Sequence, residues 1–179
     1  VDMPYKTYRN KKEAYTNAMK IIKATKCDAL KLEGGKGIVH IVKYLIKKNI
    51  SIMGHIGLLP QSVKGSFRFR GKSSKERNKI IQDAKALSNA GVFGIVIECV
   101  EESLAKVITN SIHIPTIGIG ASKHCDGQIL VTDDLLGLSG FTPKFVSKYC
   151  SIKKIINRSI LRFKHDVIKK KFPGKKNIY

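Results

Sequence analysis

The sequence predicts an α/β fold built on a parallel sheet, and two observations support this. Short apolar runs that suit strands alternate along the chain with longer segments in which apolar residues recur at helical spacing. Polar residues followed by glycine or a turn stand at the ends of several of these strands. Because ligands bind at the carboxyl ends of parallel strands, these residues are expected to meet at one rim, as in a (β/α)8 barrel.

The segment 29–35 (ALKLEGG) shows the pattern most clearly. Side chains alternate between faces along a strand, so its two leucines share one face while Lys31 and Glu33 share the other. The leucines can pack against helices, which leaves a cation and a carboxylate together at the strand's carboxyl end. A surface strand with a solvated polar face has the same pattern, so this segment alone leaves both interpretations open.

The first residues suggest the end of a strand, with Asp2 followed by a turn at Pro4, and most of that strand is expected upstream of residue 1. A helix is predicted from Asn10, because asparagine is a preferred N-cap and Glu13 stands three residues further on. The apolar stripe of this helix comprises Ala14, Ala18, Ile21 and Ile22.

A second helix is predicted over residues 38–48, followed by a strand over residues 50–53 that stops at Gly54. His55 comes next, between glycines, where it can serve catalysis or hydrogen-bond a loop, and the sequence favours neither role. Residues 62–72 are basic and contain glycine, and we expect them to form a loop that acts as a lid.

A third helix is predicted from Ser73, which is followed by Glu76 in a capping-box pattern, to a stop near Gly91. The next strand, over residues 93–99, carries Glu98 as a lone carboxylate after apolar residues. That position suits a general base or acid. A structural ion pair explains one isolated glutamate equally well.

The remaining elements are predicted as a helix over 101–110, strands over 114–121 and 126–131, and a basic amphipathic helix over 151–171. The sequence thus predicts five strands and the end of another. A complete eight-stranded barrel usually needs about 200–250 residues.

Composition is that of a folded protein. The chain has 179 residues, 42% of them hydrophobic, which is enough for one domain with a sizeable core. No apolar run approaches the roughly 18–20 residues that cross a bilayer, and no segment resembles a signal peptide. The cysteines form no C-x-x-C pair, so we expect free thiols, no zinc site and a cytoplasmic location. They are Cys27, Cys99, Cys125 and Cys150.

The formal charge of +21 raises a nucleic-acid-binding protein as an alternative function. Two features argue against it. The positive charge is spread along most of the chain, and it comes from 28 lysines and only 6 arginines. Arginine is the residue that suits bidentate contacts to bases and phosphates. We attribute the lysine excess to an AT-rich genome.

Seven segments, taken together and in order, resemble the ketopantoate hydroxymethyltransferase family. They are V-D-M-P at 1–4, L-K-L-E-G-G at 30–35, G-H-I-G-L-L-P-Q-S-V at 54–63, I-E-C-V at 97–100, I-P-T-I-G-I-G-A at 114–121, D-G-Q-I-L-V at 126–131 and P-K-F at 143–145. The resemblance implies a TIM-type (β/α)8 barrel of the phosphoenolpyruvate/pyruvate group, present here from the end of strand 3 through strand 8. It assigns residues 1–150 to the barrel and residues 151–179 to a basic carboxyl-terminal helix and tail.

The resemblance also implies a reaction and a site. The family transfers a hydroxymethyl group from 5,10-methylenetetrahydrofolate to the α-keto acid 3-methyl-2-oxobutanoate, with Mg²⁺, giving 2-dehydropantoate in pantothenate and coenzyme A biosynthesis. By motif, Asp2 would be a magnesium ligand that also touches the substrate, and Glu33 would reach the ion through water. Lys31 would contact the keto acid, His55 would line the substrate site, and Glu98 would be the proton acceptor.

The resemblance has further implications for the upstream segment, for the loop after Val63 and for the oligomeric state. The family carries about eighty residues upstream, which supply the first strands of the eight-stranded barrel, a second aspartate ligand and a serine that holds the keto acid. The loop after Val63 is shorter than is usual in the family, and F-R-F-R at 67–70 replaces the glycine and aromatic features that the family has there. The family forms homo-oligomers (decamers), and no membrane partner is expected.

Three alternatives stay open at this point. The chain is an inactive fragment or one that a separate amino-terminal segment completes, a different aldol- or lyase-type member of the same barrel group, or a basic nucleic-acid-binding protein. The last predicts an affinity that falls steeply with salt.

Overall fold

The computed structural model describes residues 1–63 and 68–179. Contacts divide the chain into two units, Val1–Ile129 and Leu130–Tyr179, and the first carries every strand in the described part of the chain. The lid predicted over residues 62–72 includes residues 64–67, which lie outside the described residues. The predicted division after residue 150, between barrel and carboxyl-terminal helix, stays a prediction.

A five-stranded sheet forms the centre of the first unit. Its strands are β1 (Ala29–Glu33), β2 (Ser51–Gly57), β3 (Gly94–Glu98), β4 (Thr116–Ile119) and β5 (Gly127–Gln128). They pair in the order β1-β2-β3-β4-β5, and every pair is parallel. Asp2 adds a parallel bridge to Lys31, so the chain does begin on an extended segment beside β1. A parallel sheet in sequential order confirms the α/β class and is compatible with part of a (β/α)8 barrel.

Four α-helices alternate with these strands, as the sequence predicts. They are α1 (Lys11–Thr25), α2 (Val39–Lys47), α3 (Ser74–Ser88) and α4 (Glu102–Ser111), with a 3₁₀ turn at Lys36–Ile38 before α2. Both predicted N-caps are present. Asn10 Oδ1 accepts a hydrogen bond from the Glu13 N–H at 2.9 Å, and Ser73 Oγ accepts one from the Glu76 N–H at 3.2 Å. Each cap satisfies a backbone donor that the helix itself leaves free.

One face of the sheet packs against the helices and forms the core. Its side chains from β1, β2 and β3 are at most 2% exposed: Leu30, Leu32, Ile52, Ile56, Ile95 and Ile97. They belong to one apolar cluster with the inward sides of the four helices. Burying a side chain of this size stabilises a fold by roughly 1.5–3 kcal/mol, so this face supplies much of the folding free energy.

Strand β2 is longer than the sequence predicts. The prediction that the strand stops at Gly54 is wrong, because pairing continues to Gly57. A Cβ at Gly54 would lie 3.1 Å from Leu87 Cδ1, so this glycine lets α3 pack closely on the sheet. The strand ends at Gly57, whose φ of +93° favours glycine and where a Cβ would overlap the carbonyl oxygen of Glu98. His55 therefore lies within the strand and not in a loop.

The second unit is helical in its regular elements. It contains α5 (Thr132–Leu135), α6 (Ile152–Ile168) and a 3₁₀ turn at Lys175–Asn177. Helix α6 lies within the segment 151–171 that the sequence predicts as a basic helix. Within residues 1–63 and 68–179, no helix combines the length and apolar character needed to cross a membrane.

Candidate active site

Five ionisable residues lie on the sheet face opposite the helices. The register pairs Asp2 with Lys31 and Glu33 with His55. Paired residues of a parallel sheet point to the same face, as do residues two apart on one strand. Glu98 closes β3 on this face too, as the register of β2 with β3 requires. The strand alternation thus separates these side chains from the buried apolar face.

The side chains form a line of contacts across four extended segments, namely the segment at Asp2 and strands β1, β2 and β3. Lys31 Nζ lies 3.1 Å from Asp2 Oδ2 and 3.1 Å from His55 Nδ1. On the other side of the ring, His55 Nε2 lies 3.2 Å from Glu98 Oε2. The histidine is thus a bridge between the lysine and the glutamate. These contacts require neighbouring strands, since no two of the residues they join share a strand.

The contacts also fix where the imidazole carries its proton. A lysine ammonium can only donate hydrogen bonds, so the Nδ1 atom of His55 next to Lys31 must accept. The other ring nitrogen, Nε2, then carries a proton and faces Glu98. The Nε2 atom nevertheless makes no hydrogen bond with any residue the structure describes, although the ring is almost fully buried. The 3.2 Å approach to the Glu98 carboxylate is therefore the polar interaction that this buried nitrogen makes within the described part of the chain.

Glu33 is the most enclosed carboxylate of the set. The residue is 8% exposed, and its Oε2 accepts a hydrogen bond from the Gln61 N–H at 3.2 Å. Its Oε1 lies 3.9 Å from His55 Nδ1. Its backbone carbonyl accepts a hydrogen bond from the Tyr8 hydroxyl at 3.2 Å. Burial, followed by the negative charge of Glu33, raises the pKa of Tyr8, so this tyrosine stays a neutral donor.

The sequence did not single out the residues that hold Glu33 in place. Gln61 also donates from Nε2 to the Met3 carbonyl at 3.3 Å, which joins the loop after β2 to the segment after Asp2. Gln61 lies in the G-H-I-G-L-L-P-Q-S-V segment, so a signal was present. Tyr8 has no comparable signal, because one aromatic in a polar loop is common.

The glycine pair after β1 depends on a buried carboxylate of α3. Asp83 is 8% exposed, and its Oδ1 accepts a hydrogen bond from the Lys36 N–H at 2.7 Å. A Cβ on Gly35 would overlap the Asp83 carboxyl group, so the close approach needs glycine. Lys79 Nζ contacts the other oxygen, Oδ2, at 3.2 Å. This anchor fixes the turn that follows Glu33.

A nucleophilic cysteine is not part of this site. Cys99 follows Glu98 directly, but burial, with the charge of Glu98 as a smaller cause, raises the pKa of its thiol to about 11. The thiol is therefore protonated near neutral pH and a poor nucleophile. All four cysteines lie in the described ranges and are free, as predicted.

The carboxylates can contribute to a magnesium site without forming a complete one. No group of three or more His, Cys, Asp or Glu side chains within residues 1–63 and 68–179 is arranged to hold a metal. Mg²⁺ is commonly bound by one or two carboxylates, with water and substrate oxygens as its other ligands. Asp2 and Glu33 supply two carboxylates with oxygen donors, which fits that manner of binding. The Asp2 side chain is 54% exposed, so water and substrate oxygens can approach it.

The fold and the site together define a class of protein. An amine, an imidazole and carboxylates grouped on one face of a parallel sheet, toward the carboxyl ends of its strands, are typical of an α/β enzyme that acts on a small molecule. Comparison with known proteins supplies the family. Residues 1–175 match the sequence model of the ketopantoate hydroxymethyltransferase family, and the chain belongs to that family.

Curated relatives agree with this assignment. The chain is 60% identical to the 3-methyl-2-oxobutanoate hydroxymethyltransferase of Pelagibacter ubique, over all of this chain and 69% of the relative. It is 46% identical to the enzyme of the same name from Phenylobacterium zucineum, over 100% of this chain and 66% of the relative. A third, from Syntrophomonas wolfei, is 45% identical over 99% of this chain and 66% of the relative. The chain thus spans about two thirds of the length of these relatives.

The predicted family, and with it the predicted class of hydroxymethyl-transferring enzyme, is confirmed by these matches. The nucleic-acid-binding alternative is not favoured. The structure brings all five sequence-predicted site residues together on one sheet face, while the role of each residue stays a prediction.

Proposed function

We propose that this chain forms a (β/α)8 barrel from the end of its third strand through its eighth. We further propose that it transfers a hydroxymethyl group from 5,10-methylenetetrahydrofolate to 3-methyl-2-oxobutanoate. The product, 2-dehydropantoate, serves pantothenate and coenzyme A biosynthesis. The observation that carries the proposal is the line of ionisable groups from Asp2 to Glu98 across one sheet face. A line with both acidic and basic members suits proton abstraction next to a carbonyl group.

Asp2 and Glu33 are the residues that would hold Mg²⁺. Asp2 offers an exposed carboxylate, and Glu33 offers a buried one whose position is fixed by Gln61. When bound, the ion supplies Lewis-acid stabilisation of negative charge on the keto acid oxygens.

Lys31 is placed to bind the keto acid and to stabilise its enolate. Its ammonium group is held between the Asp2 carboxylate and the His55 ring, both at 3.1 Å. A lysine held in this way loses little freedom when an anionic substrate binds beside it. Its positive charge then lies where negative charge develops as the C3 proton leaves, which lowers the energy of the transition state.

Glu98 acts as the proton acceptor in this proposal. The C3–H bond breaks, its electron pair enters the enolate, and the proton moves to a carboxylate oxygen of Glu98. His55 keeps the carboxylate in place through the 3.2 Å approach of Nε2 to Oε2. Water releases the one-carbon unit from the folate as formaldehyde: both of its C–N bonds break, the two nitrogens take the hydrogens of the water, and tetrahydrofolate leaves. The enolate carbon then bonds to the formaldehyde carbon, the carbonyl electron pair moves to oxygen, and that oxygen takes the proton from Glu98 as the new hydroxyl group.

The first half of the reaction can be tested without folate. A working site exchanges the C3 hydrogen of 3-methyl-2-oxobutanoate for deuterium in D2O, which collapses the methyl doublet in the proton NMR spectrum. Glu98→Gln is expected to slow this exchange by about 10²–10⁴-fold, because the base is lost. Glu102→Gln, which removes an exposed carboxylate in the first turn of α4, is the matched control and is expected to retain the exchange.

Two forms of the protein sharpen this experiment. One is the 179-residue chain, and the other is a chimaera with the upstream residues of the Pelagibacter ubique relative joined before Val1. Faster exchange by the chimaera supports a need for further barrel strands, whereas equal exchange contradicts it. Full exchange by Glu98→Gln in both forms would remove Glu98 as the base.

The setting of the enzyme is proposed on the same basis. We expect a cytoplasmic homo-oligomer, of ten subunits as the family resemblance implies, and no membrane or nucleic-acid partner. Sedimentation of the chimaera measures the oligomer directly. A monomer at micromolar concentration would contradict this part of the proposal.

A further inference from the structure

A cavity of about 400 Å³ opens at the carboxyl end of β1. Its walls come from three segments that follow successive extended segments: the loop at residues 5–9 after Asp2, the 3₁₀ turn and first turn of α2 at residues 37–41 after β1, and the loop at residues 59–62 after β2. The Glu33 residue at the end of β1 also lines it. The cavity therefore lies at the carboxyl ends of the strands, and its volume falls within the range of about 300–1,000 Å³ for small-molecule sites.

The lining combines aromatic and aliphatic side chains with the carboxylate-bearing residue Glu33. Tyr5, Tyr8, Ile38 and Leu59 supply aromatic and aliphatic surface. The Tyr8 ring is held in place because its hydroxyl donates to the Glu33 carbonyl at 3.2 Å and the residue is 9% exposed. A planar heteroaromatic ligand suits such walls, since rings gain both burial and stacking against aromatic side chains.

The rest of the lining is predominantly basic. Lys6, Arg9 and His40 line the cavity, while Glu33 is the one carboxylate among its lining residues within 1–63 and 68–179. Glu33 already accepts a hydrogen bond from the Gln61 N–H, and Lys6 Nζ lies 5.5 Å from the centre of the Tyr5 ring. Among the residues that the structure describes, Arg9 contacts Glu13 only through Nε, which leaves its two terminal nitrogens available to an anion. The charge balance therefore favours a ligand with a carboxylate tail.

We propose that this cavity binds the one-carbon donor. Its fused heteroaromatic rings would lie against Tyr5 and Tyr8, and its glutamate carboxylates would contact Lys6 and Arg9. The inference rests on the proposed function, because that function supplies a co-substrate with flat rings at one end and carboxylates at the other. The Glu33 end of the cavity brings the one-carbon unit toward the enolate, while the basic residues hold the tail further out.

The charge arm of the test uses a stable analogue, 5-formyltetrahydrofolate, with one or with three glutamates. Lys6→Asn with Arg9→Gln is expected to weaken binding by about tenfold or more, because two charge-assisted contacts to carboxylates are lost. The loss is expected to be larger for the triglutamate. Asparagine is chosen at Lys6 because the φ there is +65°. Lys11→Gln with Lys12→Gln removes the same charge from exposed positions of α1 and is expected to leave binding unchanged.

The ring arm uses Tyr5→Ala, with Tyr149→Ala as its control. Tyr5 is 51% exposed and Tyr149 is 76% exposed, so neither substitution removes a core side chain. Tyr5→Ala is expected to weaken binding of the analogue by several-fold through lost stacking, about the effect of one aromatic contact. Tyr149→Ala is expected to have no effect.

Deuterium exchange at C3 separates this inference from the proposed function, since exchange needs no folate. Folate affinity that ignores both pocket substitutions, in a protein that exchanges the C3 proton, overturns the inference and leaves the proposed function standing. Folate binding that depends on the cavity, in a protein that exchanges no proton, supports the inference and overturns the proposed function. Equal losses in the lysine control would show a general charge effect and overturn the inference.

Discussion

The two faces of the sheet differ although they are built from the same strands. One face carries leucine and isoleucine side chains that are buried under the helices, and the other carries Lys31, Glu33, His55 and Glu98. A shift of a single residue exchanges one face for the other. The apolar face therefore fixes the register, and the register in turn decides which charged groups meet. The residues that stabilise the fold thus alternate along each strand with the residues that we propose for the chemistry.

The difference between the two faces can be tested most directly at two neighbouring positions of β3, Ile97 and Glu98. Ile97→Ala is expected to lower the free energy of unfolding by about 2–5 kcal/mol, because the residue is fully buried and leaves a cavity. Glu98→Gln, one residue away on the other face, is expected to change it far less while removing activity. Urea unfolding measures both. Similar destabilisation by the two substitutions would show that the faces do not divide their roles in this way.

A smaller effect is expected for the residue that joins the site charges. His55→Gln keeps a donor near Glu98 but removes the Nδ1 acceptor that faces Lys31. We expect the rate of C3 exchange to fall by about 10–100-fold, mainly in kcat, because the base is less well positioned. His55→Leu removes both contacts and is expected to cost more. Equal rates for Gln and Leu, or a loss confined to KM, would argue against a positioning role.

The smallest effect concerns a charge that stabilises the fold and lies outside the site. Hydrogen bonds from the Ser103 hydroxyl, from Arg77 and from the Ser103 N–H lower the pKa of Glu101 from 4.5 to about 2. The folded state therefore favours the carboxylate. Its contribution is complete above pH 4.5 and is lost as the pH falls toward 2.

Glu101→Gln removes this dependence. The stability advantage of the unmodified chain over Glu101→Gln is expected to be constant at neutral pH and to shrink between pH 4.5 and 2 in acid unfolding experiments. Arg77→Gln removes one of the hydrogen bonds that lower the pKa of Glu101. It is therefore expected to narrow the pH range over which the stability advantage is lost. An advantage that grows in acid would contradict the assignment.

Much of the fold follows from local rules in the sequence. The caps at Asn10 and Ser73 form as predicted, since a capping side chain and its backbone donor lie within three residues of each other. The alternation in β1 correctly separates Leu30 from Lys31, because the period of a strand is fixed by its geometry. The family follows from motifs that are short and ordered along the chain, and the same motifs led to the five residues that we propose for the site.

Other features depend on residues far apart in the chain. Gly54 predicts a strand end by local rules, yet it lies within β2, where it pairs with both neighbouring strands and Leu87 of α3 packs close to it. The turn after Glu33 is anchored by Asp83, which accepts the hydrogen bond from the Lys36 N–H across 47 positions of the chain. Asp83 belongs to no sequence motif that would have predicted this contact. Local sequence preferences do not reflect contacts between residues that are distant in the chain, so only the packed structure reveals them.

The sequence by itself determined the strand alternation, the helix caps, the family and the residue types available for chemistry. Only the tertiary structure decided that His55 bridges Lys31 and Glu98, that Gln61 and Tyr8 hold Glu33, and that a basic, aromatic cavity opens beside them. The physical reason is distance along the chain. Periodicity and caps act within a few residues, whereas each of these contacts joins segments that meet only once the sheet has paired.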